Sequence, residues 1–124
     1  MSEYGFTKKD WVLFREKIAD WQEAYMDRLI EEYKDILNSD ASSFDKYCTL
    51  RKKIYDDYKS PGVLARDVSR SNMFIILLGL LRDEAITMDD LDGFSDELKE
   101  DLQQLLKWKS RKIGFFHLVF FFTS

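Results

Sequence analysis

Residues 7–37 read TKKDWVLFREKIADWQEAYMDRLIEEYKDIL, and this stretch decides the fold. Among its apolar residues, Trp11, Phe14, Ile18, Trp21, Tyr25, Leu29, Tyr33 and Ile36 recur regularly. Steps of three and four put them on one face of a helix. Thr7 can cap the start by accepting a bond from an otherwise unpaired backbone N–H, and Asp10 adds negative charge to the first turn. The spacing predicts a helix over 7–38, about 45 Å long at 1.5 Å per residue. That exceeds the width of a small domain, so one end should project or meet another chain.

Downstream, SSFDKYCTLRKKIYDDYK predicts a second helix over 43–59, capped by Ser42 or Ser43. Its stripe is Tyr47, Leu50, Ile54 and Tyr58. Ser60 followed by Pro61 is both a stop and a fresh start signal, because proline's missing N–H costs nothing in a first turn. A third helix is therefore expected over 61–83. Its second half, MFIILLGLL (73–81), is almost wholly apolar, which requires burial on most sides and makes it central. Thr87 predicts a short helix over 88–92, and Asp92-Gly93 a turn. Ser95 then caps a last helix over 96–112, with Leu98, Leu102, Leu105 and Leu106 as its buried face.

The 124 residues allow one domain with one modest core. One proline and five glycines leave little turn material for a sandwich or barrel. The expected architecture is all-α: a single-domain bundle of four to five helices over 1–110, followed by an aromatic C-terminal extension over 111–124. That extension reads RKIGFFHLVFFFTS and holds half of the ten phenylalanines.

The net charge of −4 is unevenly spread. Residues 107–124 carry four cations and no acid, which leaves −8 for residues 1–106. An acidic body repels a phosphate backbone, so direct nucleic-acid binding is not expected. Cys48 is the only cysteine and cannot form an internal disulfide. MSEYGFTKKDW lacks the apolar run of a signal peptide, so a cytoplasmic location is expected.

Catalytic chemistry finds few residues. His117 is the only histidine, and it lies among phenylalanines. One histidine and one cysteine cannot build a typical zinc site. The stretch MDDLDGFSDELK resembles a calcium loop, but Met88 and Lys99 occupy the two end-ligand positions. Adjacent acids such as Asp56 and Asp57 point about 100° apart on a helix and do not converge as an acid–base pair. No catalytic residue, metal or cofactor is assigned. Arg51, Lys52, Lys53, Arg66, Arg70 and Arg82 read as a solvated face with salt bridges to Asp56, Asp57 or Asp67.

The tail has four readings. Ile113 to Phe122 is about half the length a membrane-spanning helix needs. A peripheral membrane anchor fits the basic residues that precede the aromatic cluster. A strand would need a partner, and a helical continuation is weakened by Gly114. The expectation is a tail packed on the domain or on a second copy.

The run DWVLFREKIADWQEAYMDRLIEEY, with KSPGV and DDLDGFSDELKE, resembles a group of short helical proteins of Gram-positive bacteria. Some of that group carry a multidrug-transporter label. The resemblance covers about residues 8–106 and implies a helical fold. It carries no catalytic residue, and a transporter has no spanning segment here.

The expected function is a non-enzymatic protein–protein interaction module. Its candidate contact residues are Tyr4, Phe6, Trp11, Trp108, Phe115, Phe116, Phe120, Phe121 and Phe122. A homo-oligomer would use the first helix or the tail. One alternative is an acidic, anti-CRISPR-like inhibitor of a host nucleic-acid machine. Another is peripheral membrane association through the basic-aromatic tail.

Overall fold

Thr7 opens the first helix as the sequence predicts, and Asp10 makes the cap reciprocal. In the computed structural model, which describes residues 6–107, helix α1 spans Lys8–Leu37. The Thr7 hydroxyl accepts from the Asp10 N–H at 3.1 Å, and the Asp10 carboxylate accepts from the Thr7 N–H at 2.9 Å. Two of the helix's orphan donors are thereby satisfied. Ser42 caps α2 (Ser43–Asp57), accepting from the Asp45 N–H. Helix α3 is Met73–Arg82, and a 3-10 turn follows over Met88–Leu91. A last helix, α4, occupies residues 96–107, and no strand occurs among the described residues.

The fold is the expected all-α bundle. α3 is its centre. Every residue from Met73 to Leu81 except Ile75 is buried. Around it pack Phe14 of α1, Ile86, Leu91 and Phe94 of the connecting turns, and Leu98 and Leu102 of α4. Leu105 and Leu106 lie partly buried at the edge of the same cluster. Trp11 and Trp21 flank Phe14 with ring centroids 5.9 and 6.5 Å away, and Trp21 also stacks on Phe94 at 6.2 Å.

The expected third helix over 61–83 is wrong in its first half. Ser60-Pro61 starts a single turn, in which the Val63 and Leu64 N–H groups bond the Ser60 carbonyl. The chain then leaves helical geometry until Met73. Asp67 takes a left-handed backbone (φ 52°), and the Asn72 amide clamps it by donating to its carbonyl and its carboxylate. VLARDVSRSN (63–72) has no apolar stripe for burial to reward, so local bonds win.

That turn is pinned between α1 and α3. Gln22 donates to the Pro61 carbonyl at 2.9 Å. The Ser60 hydroxyl donates to Asp83 at 2.7 Å and accepts from the Gly62 N–H at 3.1 Å. Gly79 lets Pro61 rest on α3, since a Cβ there would meet the proline ring at 2.9 Å. Gly62 lies against the Tyr25 ring, which an added Cβ would overlap, with the Ala85 Cβ 3.1 Å away on another side. Gly62→Ala is therefore expected to destabilise the fold by about 1–3 kcal/mol through overpacking. Urea unfolding measures it, and a change below about 0.5 kcal/mol would show that the ring yields freely.

The last helix of the expected bundle, 96–112, is described only as far as residue 107. Its final five residues, the boundary at 110–111 and the extension over 111–124 lie outside the described residues.

Candidate interaction surface

α2 is set against α1 by polar contacts. Tyr33 donates to Asp57 at 2.8 Å, and the Lys53 ammonium bridges Glu32 at 2.8 Å and Asp57 at 3.2 Å. Lys46, Leu50, Lys53 and Asp57, at helical steps of three and four, are the half-covered residues of α2. Lys52 pairs with Asp56 on the outside. Two of the salt bridges expected from sequence, to Asp56 and Asp57, are thus present.

The consequence is that α2 faces outward. None of its residues is buried. Phe44 is 74% exposed, Tyr47 69% and Tyr55 65%, and Ile54 and Tyr58 are also open to solvent. Tyr47, Ile54 and Tyr58, expected as buried stripe residues, are on the surface. Phe44, Tyr47, Arg51, Tyr55 and Tyr58 recur at steps of three, four, four and three, so they share a face. At its Tyr58 end this face meets an apolar depression of about 400 Å³, lined by Tyr58, Pro61, Leu64, Ala65 and Ile76.

Burial raises the ionisation of Tyr33 to about 12, assisted by its bond to the negative Asp57. The pH consequence has a definite sign. An unfolded tyrosine ionises near 10, so the stability Tyr33 contributes is complete below pH 10 and falls as pH rises toward 12. Absorbance titration should show late-ionising phenols, of which Tyr33→Phe removes one. Ionisation of every phenol near pH 10 would contradict the Tyr33–Asp57 bond.

A second polar group lies behind α2. Tyr25, Asp56, Asp57, Lys59, Ser60, Arg82 and Asp83 line a cleft of about 370 Å³. Burial pushes the Tyr25 phenol up, and a hydrogen bond with Ser60 opposes this. Ser60 is the buried hydroxyl here, but its proton goes to Asp83 and its lone pair to the Gly62 N–H. That is the bonding of a structural clamp. Among the described residues no three His, Cys, Asp or Glu side chains are placed to hold a metal ion, and no helix is long and apolar enough to cross a membrane.

Of the contact residues expected from sequence, Phe6 and Trp11 are described. Both are partly buried against the core. Arg70 lies over the Phe6 ring at 6.0 Å, and Arg15 over Trp11 at 5.7 Å. Tyr4, Trp108, Phe115, Phe116, Phe120, Phe121 and Phe122 lie outside the described residues. Sequence reasoning missed Phe44 and Tyr55 as surface aromatics. The signal was present: Phe44, Tyr47, Tyr55 and Tyr58 form a stripe as regular as the one it assigned to the core.

Comparisons with family models, curated proteins and solved structures give no match.

Proposed function

We propose that this chain is a protein-interaction module without catalytic chemistry of its own, and that it binds through the outer face of α2. One observation carries the reading: a fifteen-residue helix with no buried residue holds Phe44, Tyr47 and Tyr55 in solvent, with Tyr58 exposed at its C-cap. Aromatic side chains bury about 150–250 Å² each, and contiguous exposed patches of that chemistry mark contact sites. Aromatic residues and arginine also dominate binding hot spots, and Arg51 sits in the middle of this stripe. A cytoplasmic setting fits the lone Cys48 thiol, which is exposed and free.

The test is capture by the immobilised full chain, compared with a Phe44→Ser, Tyr47→Ser, Tyr55→Ser variant. Helix content and melting temperature should be unchanged, because these side chains leave the core alone. Captured protein should be lost from that variant and kept by a Val68→Ser, Ile75→Ser control, two exposed apolar positions away from that face. Equal capture by all three would sink the reading.

The acidic-inhibitor reading has one observation of its own in favour, a row of exposed acids on α1. Glu16, Asp20, Glu23 and Asp27 follow at steps of four, three and four. A salt series separates the two. Charge mimicry weakens steeply with ionic strength, whereas apolar docking persists.

A further inference from the structure

Two stripes of opposite character lie on the first two helices. On α2, the aromatic stripe is basic: Arg51 lies at its middle, and Lys59 holds its ammonium over the Tyr55 ring at 4.3 Å. Arg51 makes no ion pair among the described residues. On α1, Glu16, Asp20, Glu23, Asp27 and Glu31 form the acidic row, and all are exposed. Only Glu31 has an ion-pair partner among the described residues, Lys34. Like charges four apart on a helix repel, a cost that an incoming cation relieves.

The two stripes match in length and shape. Phe44 to Tyr58 rises about 21 Å, and Glu16 to Glu31 about 22 Å. Apolar side chains edge the acidic row as well. Val12, Ala19 and Ile30, seven and eleven residues apart, run beside it and are exposed. They offer the rings a surface while the carboxylates meet the cations. Within one copy the stripes cannot meet. α2 turns Lys53 and Asp57 toward α1, and the acidic row lies on the side of α1 opposite Phe14 and Leu29.

We propose that the outer face of α2 docks on the acidic face of α1 in a second copy of this chain. The proposal rests on the reading of α2 as the interaction face and names its occupant. The two stripes lie on opposite sides of the chain, so the contact is head-to-tail, one copy giving α2 and the next giving α1. Arg51 lies halfway along its stripe and Glu23 near the middle of the acidic row. The two residues therefore meet whichever way the helices run.

The test is sedimentation velocity on the full chain between about 1 and 100 µM at low salt. Association into a dimer and longer head-to-tail species is expected, weakening as salt is added. Arg51→Glu and Glu23→Lys should each raise the dissociation constant about tenfold. An equimolar mixture of the two variants should recover to within about threefold of the wild type, because every contact between unlike variants again joins opposite charges. Circular dichroism confirms that each variant is folded. If a reversal unfolds the chain, Arg51→Gln and Glu23→Gln replace it, each expected to weaken the dimer. Monomer mass throughout would overturn the proposal. So would a dimer indifferent to both substitutions, which is the outcome if residues 108–124 hold it. The interaction-face reading survives a monomer whose capture of another protein still depends on Tyr47 and Tyr55, and it falls if that dependence is absent too.

Discussion

Phe14→Ala is expected to lower the free energy of unfolding by about 3–5 kcal/mol, the range for removing a buried aromatic ring. Phe14 is fully buried. It is the one residue of α1 that belongs to the buried cluster around α3. Trp11 and Trp21 are braced on it from either side, and Trp21 relays the contact to Phe94. Truncation leaves a cavity that these flat, bulky rings cannot close without leaving their own contacts. Domains of this size hold only about 5–15 kcal/mol in total, so the variant should melt far earlier and unfold partly at about 37 °C. Urea denaturation followed by tryptophan fluorescence and by circular dichroism measures the loss. A cost under about 1 kcal/mol would mean that α1 is held by something other than this ring cluster.

Asp10→Asn should cost about 2–4 kcal/mol, although the side chain hardly changes shape. The Asp10 carboxylate is almost wholly buried and serves two helix starts at once. It accepts from the Thr7 N–H at the head of α1, and from both the N–H (2.7 Å) and the hydroxyl (2.6 Å) of Ser95 at the head of α4. The Ser95 hydroxyl also accepts from the Leu98 N–H, so the network runs on into α4. An amide replaces one acceptor with donors, which then face donors already in place. Two starts should loosen together. Hydrogen exchange should therefore speed up at the first turns of both α1 and α4, and Ser95→Ala should reproduce the α4 half. Change confined to α1 would contradict the shared carboxylate.

What the sequence disclosed follows from the range of each interaction. Thr7, Ser42 and Ser95 cap what they were expected to cap, because a cap bonds a backbone group two or three residues away. At Thr87, by contrast, the Asp90 carboxylate accepts from the Thr87 N–H and the hydroxyl makes no cap bond. The apolar run from Met73 declared its central burial because no other environment suits it. The start at Ser60-Pro61 misled because its outcome depends on distant partners: Gln22, Tyr25 and Asp83 hold that turn, and none can be read from local spacing. The second role of Asp10 was hidden for the same reason, since Ser95 lies 85 positions away. α2 is the instructive failure. Periodicity shows that a helix has two faces, and the facing element decides which one is covered. Here α1 offers Glu32 and Tyr33, so the charged side turned in and the rings turned out.

Helix α3 ends in a Schellman motif, with the Ala85 N–H bonded to the Leu80 carbonyl at 2.8 Å and the Glu84 N–H to the Leu81 carbonyl at 3.1 Å. Glu84 sits in a left-handed backbone (φ 60°) that glycine adopts without strain, and Arg28 donates to its carbonyl from α1. With α2 lacking any interior residue, the outward positions of that helix can drift without disturbing this joint or the packed centre. The chain is built like a handle with a replaceable blade: selection, or a protein engineer, can rewrite the outer face of α2 while leaving the folding instructions untouched.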